Sequence, residues 1–359
     1  AAGALERTHS FDVRIEGEQA PIDPDGVLTV PGGAASADLV VINDDDLTYA
    51  ISRLDERSTD VALTYVASID VALTRAVIWA SLWNAVRDGL LDPRRFIVAV
   101  LTAVPAETEP AIRDRLLLFV AEAISSFLPG GLRTDVHDQV LATTIRLSRE
   151  TQDADAWRSY TRAFIAEFAA RGGDEYEATV RGFAASDNPD IAWRARRALA
   201  ARGLVDAGAV EAWRSADGSG EAARMSVEAL ASLPIEEARS HAWDSVYSET
   251  LSNDFLSATL AGLQASSWDG ETGIEAAVDR LRSYWESHTI GMALRYANGV
   301  LAYGLDIDRD GSVERSVGLL HSWLDTNDDA PAQLRRIVIE HLDAFERDER
   351  VQRRWKQDQ

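Results

Sequence analysis

Histidines and acidic residues are the side chains of this sequence that most often bind catalytic metals, and their spacing decides which sites they can form. The histidines are His9, His137, His241, His288, His321 and His341. A zinc-peptidase site of the His-Glu-x-x-His type needs two histidines four positions apart, so that both reach one metal ion from the same face of a helix. No two histidines here have that spacing. We therefore predict no catalytic, metal-binding or cofactor-binding residue in this chain, and no enzyme activity of the chain by itself.

One acidic segment resembles the first half of a calcium-binding loop. Asp306, Asp308 and Asp310 stand at the first, third and fifth positions of such a loop, and Gly311 stands at the sixth. The twelfth position, which normally supplies a bidentate glutamate, is Val317. The segment fits either a calcium site or an acidic loop that caps the following helix, and we favour the loop.

Several other function classes lack support in the sequence. It contains no glycine-rich phosphate loop and no Gly-x-Ser-x-Gly nucleophile turn. It has no cysteine, which excludes disulfides and thiolate chemistry. A net charge of −23 argues against nucleic acid and anionic membranes as partners, because lysine and arginine bind phosphates. No apolar run approaches the ~18 residues of a membrane span, and no signal peptide is visible, so we expect a cytoplasmic protein.

Two kinds of element must position any functional side chain. Residues 1–54 alternate short β-type runs with Gly- and Pro-containing turns, which predicts a partial β-domain that is a fragment of a small sandwich. The predicted strands are Ser10–Ile15, Val27–Val30, Asp38–Asn43 and Leu47–Leu54. If neighbouring strands are missing, an open β edge remains, and we expect self-association through it.

From residue 55 to residue 359 the apolar residues follow the period of an α-helix. Helices are predicted at 70–88, from 93, from 110 to 129, and at 135–151, 154–171, 175–186, 189–202, 207–214, 220–232, 235–247, 252–265, 271–286, 289–303, 312–325 and 330–348. Gly89, Gly130 and Gly172, each interpreted as a helix stop, lie roughly forty residues apart, near the period of stacked two-helix repeats. The sequence thus predicts a mainly α protein, an irregular α-superhelix of antiparallel helix pairs of the HEAT or armadillo kind.

Three passages of the chain resemble one protein family. Leu39–Asp55 contains an Asn-Asp-Asp-Asp turn between β-type runs, and is similar to the last strands of the small β-domain of aminopeptidase N, a gluzincin zinc aminopeptidase, especially of the actinobacterial type. Val71–Gly89, followed by Phe96–Val100, is similar to the next helices of that family. Ile191–Gly203 resembles a later helix rich in arginine and tryptophan.

The resemblance implies that the parent protein is a zinc-dependent exopeptidase that releases N-terminal amino acids from peptides. Its zinc helix and its amine-recognition motif would lie upstream of this chain, so zinc would belong to the parent and not to these residues. The chain would be the non-catalytic C-terminal region, covering the catalytic domain of the same polypeptide and controlling the access of the peptide substrate. A first residue other than Met agrees with a piece of a longer protein.

Arg194 and Arg197 are the candidate substrate contacts. They lie in the most basic helical segment, and the resemblance implies that such residues could meet the C-terminal carboxylate of a peptide. In the alternative interpretation, Trp193 packs inward and the arginines only offset the acidic surface.

Two other functions stay open on the sequence alone. The first is a stand-alone helical-repeat scaffold that binds protein partners. The predicted β fragment cannot form a core of its own, which argues against a stand-alone scaffold. The second is an enzyme with an unrecognised acidic site. The 59 acidic residues make pairs of carboxylates too common to be informative.

Overall fold

A computed structural model describes residues 12–15, 18–21, 38–47, 50–248, 251–265, 274–302 and 312–357. The contacts divide the chain into two compact units. The first comprises Ala1–Leu128 with Arg354–Gln359, and the second comprises Pro129–Arg353. The predicted strand Val27–Val30 and the calcium-like segment 306–311 lie outside the described residues. The division into these two units does not test the predicted domain boundary between residues 54 and 55, which stays a prediction.

The first unit contains a three-stranded antiparallel sheet. Its strands are β1 (Asp12–Ile15), β2 (Glu18–Pro21) and β3 (Val40–Ile42), in the order β2-β1-β3. β1 and β3 fall within predicted strands, whereas β2 was not predicted, because its sequence Glu-Gln-Ala-Pro shows no apolar alternation. Two residues join β1 to β2, and Ile15 pairs with Glu18.

The segment Leu47–Leu54, predicted as a strand, forms no strand in its described residues. Side chains attach it instead to the helix at Ala72–Arg87 and to Asp88, which caps that helix. The Ser52 and Ser81 hydroxyl oxygens are 2.7 Å apart, and Arg53 Nη2 donates to Asp88 Oδ2 at 2.6 Å. The prediction was wrong because an alternating apolar pattern also fits an extended segment whose partners are side chains rather than a backbone ladder.

Four α-helices follow the sheet in the first unit: α1 (Glu56–Tyr65), α2 (Ala72–Arg87), α3 (Pro93–Ala103) and α4 (Pro110–Glu122). Their starts follow from the sequence, since Asp55 and Asp92 accept hydrogen bonds from first-turn amides of α1 and α3. Aromatic residues fill the space between α2, α3 and α4, where Trp83 stacks on Phe119 with ring centroids 4.3 Å apart.

The described part of the second unit is helical. Its elements are α5 (Gly130–Glu150), α6 (Ala154–Arg171), α7 (Glu177–Ala184), α8 (Pro189–Ala201), α9 (Ala207–Ala216), α10 (Gly220–Ala231), α11 (Glu236–Val246), α12 (Asn253–Ala265), α13 (Ile274–Asp279), α14 (Leu281–Ser287), α15 (Ile290–Leu301), α16 (Ser312–Thr326) and α17 (Ala332–Gln357), the last of which ends in the first unit. The helices α6, α8, α10, α12 and α15 pack on one another in this order, and α7, α9, α11 and α14 pack beside them. The mainly α prediction is confirmed.

Three predicted helix limits were wrong. Gly130 starts α5 instead of stopping a helix, because α4 ends in a π-type turn at Ala123–Phe127 and the first turn of a helix tolerates glycine. The predicted helix 271–286 is interrupted at Arg280. The helix predicted to end at residue 348 continues to Gln357, since Val351 and Gln352 are buried within a tract that is otherwise strongly charged.

Two glycines let successive helices of the second unit approach closely. A Cβ atom at Gly262 of α12 would overlap the backbone oxygen of Glu228 in α10 and would lie 2.7 Å from Cβ of Ala231. A Cβ atom at Gly299 of α15 would lie 2.6 Å from Cδ1 of Leu260 in α12. The spacing of α10, α12 and α15 therefore depends on glycine at both positions. No described helix combines the length and the apolar composition needed to cross a membrane.

Candidate substrate-contact site

Helix α8 carries both predicted substrate-contact residues, and its sequence sets where it begins and which side it buries. The Asn188 side chain accepts from the backbone amides of Asp190 and Ile191, and Pro189 occupies the first turn, where no amide donor is needed. Ile191, Ala195, Ala198 and Leu199 are buried in one core with Phe164 of α6. Asp190, Arg194 and Arg197 are left at the partly exposed surface of the helix.

Two arginines share one carboxylate at the start of α8. Arg194 Nε donates to Asp190 Oδ1 at 2.9 Å, and Arg162 Nε, from α6, donates to Asp190 Oδ2 at 2.8 Å. The exposed fraction of the side chain is 42% for Arg194, 38% for Arg162 and 37% for Asp190. Neither guanidinium makes a further hydrogen bond to any residue that the structure describes. The cluster therefore carries one excess positive charge and Nη groups with donor capacity.

The electrostatics of this cluster keep it charged near neutral pH. Burial alone would raise the pKa of Asp190, but hydrogen bonds and charge from Arg162 and Arg194 outweigh it and hold that pKa below its ordinary value. The carboxylate is therefore ionised and both arginines stay oriented.

Arg197, the other predicted contact, lies in a more enclosed ion pair. Its Nη1 donates to Glu228 Oε1 of α10 at 2.9 Å, and the two side chains are 21% and 12% exposed. Arg224 of α10 also approaches Glu228, with Nη1 3.8 Å from Oε2. Arg197 thus links α8 to α10, and the structure does not bring its guanidinium into the Asp190 cluster.

Tryptophan contacts hold α8 beside these two arginines. Trp193 is buried, and its Nε1 donates to Asp217 Oδ2 at 3.1 Å. The Arg196 guanidinium lies 4.8 Å from the Trp193 ring centroid and 5.5 Å from that of Trp213 in α9. These contacts agree with the inward packing expected for Trp193, and they limit rotation of the helix that presents Arg194.

The charged surface continues onto the next helices. On α10, Arg224 Nη2 donates to Glu221 Oε1 at 2.5 Å. On α12, Asp254 is exposed and makes no ion pair with a described residue. Sequence reasoning missed Arg162, Glu221, Arg224 and Asp254. A signal for Glu221 was present, because an acid at the second position of a helix followed by arginine one turn later occurs in both α8 and α10. Arg162 is 28 residues from Asp190, so only the packing of α6 on α8 brings them together.

The histidines of the described ranges make their recorded contacts away from this cluster. His137 of α5 contacts Glu167 of α6, and the His288 ring stacks on Tyr284 with centroids 3.8 Å apart. Across the described ranges, no group of three or more His, Asp or Glu side chains is arranged to hold a metal ion.

Comparison with known proteins gives two findings. The family model described as the ERAP1-like C-terminal domain matches residues 39–347. An aminopeptidase N of Streptomyces lividans is 29% identical over 356 residues, and the match covers 94% of this chain and 40% of that relative. The chain thus spans about two fifths of the length of the curated relative it matches.

Proposed function

Because this chain belongs to the ERAP1-like C-terminal domain family, we propose that it is the non-catalytic C-terminal region of a zinc-dependent aminopeptidase. In this proposal the zinc and the catalytic groups belong to the remainder of the parent protein, which releases N-terminal amino acids from peptides. The present chain covers the catalytic domain and controls which peptides reach it. The similarity to a Streptomyces aminopeptidase N supports this assignment.

The cluster of Arg162, Asp190 and Arg194 is the observation that carries the proposed role in substrate access. A guanidinium is planar and always protonated, and it presents donors in a fork that matches a carboxylate. Since Asp190 occupies only the Nε donor of each arginine, the Nη groups have capacity for a second carboxylate. The C-terminal carboxylate is the one anionic group that every unmodified peptide carries, whatever its sequence. We assign its contact to Arg194, assisted by Arg162.

Arg197 has a different part in this proposal. Its pairing with Glu228 makes it the less exposed of the two predicted contacts, and it bridges α8 and α10. We therefore place it behind the contact surface, where it holds the two helices that carry the surrounding charges.

The experiment compares two forms of one nonapeptide of alanine and glycine. One form has a free C-terminal carboxylate, and the other is the C-terminal amide. Binding to the chain is measured by isothermal titration calorimetry at low ionic strength, where exposed charge pairs are least screened. We expect the acid to bind about three- to tenfold more tightly than the amide, because one charge-assisted contact is lost in the amide. The variant Arg194→Gln should remove that difference.

The matched control is Arg146→Gln. Arg146 is also a half-exposed arginine of the second unit, paired with a glutamate four residues further along α5. It should leave the preference for the acid unchanged. Equal affinities for acid and amide in the unaltered chain would refute the proposed contact.

A further inference from the structure

We propose that the charged row along α8, α10 and α12 selects peptides that carry a lysine or arginine side chain several residues before a free C-terminal carboxylate. This inference rests on the proposed function and specifies the substrate class of the same site. The row consists of Asp190 and Arg194 of α8, Glu221 and Arg224 of α10 and Asp254 of α12, together with Arg162, which reaches Asp190 from α6.

The row arises from a repeated local arrangement. Three successive helices of the packed series each place an acidic residue at their second position: Asp190 in α8, Glu221 in α10 and Asp254 in α12. Helices α8 and α10 follow the acid with an arginine one turn later, Arg194 and Arg224, which pairs with it. In α12 the equivalent positions, 257 and 258, hold serine and alanine, so the helix supplies no arginine to its own acid.

The balance of charge therefore changes sign along the row. At α8, two arginines share Asp190, which leaves a positive surplus. At α10, Glu221 pairs with Arg224 of the same helix and Glu228 pairs with Arg197 of α8, so the charges cancel. At α12, Asp254 has no ion-pair partner among the described residues, which leaves a negative surplus.

Neighbouring members of the row are close enough to influence one another. Hydrogen bonding to Glu221 is the main cause of the raised pKa of Arg224, and the charges of Glu228 and Asp254 raise it further. The Arg224 hydrogen bond lowers the pKa of Glu221, whereas the negative charge of Asp190 opposes that lowering. The charges of Asp190 and Glu221, and those of Arg224 and Asp254, therefore act on one another across neighbouring helices.

The spacing of the helices gives the length of the peptide that would match the row. Packed helices lie roughly 8–10 Å apart, so α8 and α12 are separated by about 16–20 Å. An extended chain advances about 3.3–3.6 Å per residue. A carboxylate at Arg194 therefore places the residue about five positions earlier near Asp254, where a lysine or arginine side chain meets the negative surplus.

Acidic residues in the first turn of a helix also stabilise its dipole. That role alone explains why each of these helices begins with an acid, but it predicts no preference among peptides. The two explanations differ in what is lost when Asp254 becomes neutral. If Asp254 only stabilises the helix dipole, its neutralisation changes only the free energy of unfolding. If Asp254 binds a basic side chain of the peptide, its neutralisation also removes the dependence of affinity on the position of a lysine.

The test uses nonapeptides of alanine and glycine with a free carboxylate and one variable residue. The first has lysine five positions before the carboxyl-terminal residue. The second has lysine directly before the carboxyl-terminal residue, and the third has glutamine where the first has lysine. Affinities for the chain are measured by calorimetry at about 20 mM ionic strength. We expect the first peptide to bind about threefold more tightly than the other two, which is the size of an exposed charge pair.

Two variants decide whether Asp254 is the cause. Asp254→Asn should bring the first peptide to the affinity of the glutamine peptide. Asp244→Asn, which removes an exposed acid of α11 without an ion pair to a described residue, should leave the threefold preference intact. Equal losses in both variants would mean that the effect is only the net charge of the chain, and would overturn the inference.

The outcomes also separate this inference from the proposed function. If the free acid is preferred over the amide but the position of lysine has no effect, the row does not select basic peptides and the carboxylate contact stands. If acid and amide bind equally, the carboxylate contact is wrong and the inference that rests on it falls as well.

Discussion

Two arginine–carboxylate sites in this chain use the same side chains in opposite surroundings. Arg75 of α2 and Glu107, after α3, are 7% and 3% exposed. Arg75 Nε and Nη2 donate to the Glu107 carboxylate at 2.9 and 2.6 Å, and Arg75 Nη1 donates to the backbone oxygens of Ile69 and Asp70. The Asp190 cluster of the second unit is more than a third exposed and uses one donor of each arginine.

The difference shows how surroundings decide between a structural and a binding role. In the closed pair, every nitrogen of the guanidinium donates within the protein, so nothing is left for a ligand. Burial alone would raise the pKa of Glu107, but hydrogen bonds from Arg75 and the Glu109 amide hold that pKa below its ordinary value. In the open cluster the helices are held by apolar side chains and glycine contacts, and the arginines keep spare donors. Both sites look alike in the sequence.

The largest effect is expected from Glu107→Gln. The substitution leaves the Arg75 charge buried without a counterion, and breaking a buried pair in this way costs about 3–5 kcal/mol. Urea denaturation followed by circular dichroism measures the change in the free energy of unfolding. The exposed pair Arg95–Asp60, with one partner each in α3 and α1, supplies the control, because Asp60→Asn should cost less than about 1 kcal/mol. Similar losses in the two variants would show that Arg75–Glu107 is not a buried structural pair.

A smaller effect is expected from Gly262→Ala, which tests whether close backbone packing holds α10 and α12 together. The added methyl group meets the Glu228 backbone and the Ala231 side chain, so α10 and α12 must move apart. We expect a loss of about 1–3 kcal/mol in the free energy of unfolding, the usual cost of overpacking.

The matched glycine for this prediction is Gly182 in α7. A Cβ atom there would meet nothing within 4 Å. Gly182→Ala should therefore stabilise the chain by about 0.5–1 kcal/mol, because alanine restricts the unfolded chain and favours the helix. A Gly262→Ala variant as stable as Gly182→Ala would mean that α10 and α12 are not in close contact.

The smallest effect on stability is expected from Asp190→Asn, the open-site counterpart of Glu107→Gln. Both arginines reach water, so losing the carboxylate should cost less than about 1 kcal/mol. The same urea titration measures it. A loss as large as that of Glu107→Gln would place Asp190 in a structural role and remove the contrast between the two sites.

Much of the helical architecture was predictable, because helix starts and periodicity are local. Asp92-Pro93 and Asn188-Pro189 start helices where predicted, and Gly89 and Gly172 end helices with positive φ angles. The errors concern elements whose state depends on distant partners. Leu47–Leu54 has the apolar alternation of a strand, but side chains attach it to α2. The charged end of α17 is helical, although its sequence is typical of a solvent-exposed segment.

The sequence by itself determined the mainly α class, the absence of a His-Glu-x-x-His helix and the candidate Arg194, since each depends on residues that are close together along the chain. Only the tertiary structure decided which arginines have spare donors. Arg162 reaches Asp190 across 28 residues, and Arg75 reaches Glu107 across 32. Whether such a pair is open or closed depends on the side chains that neighbouring helices place around it, because burial removes the water that would otherwise compete for the charge.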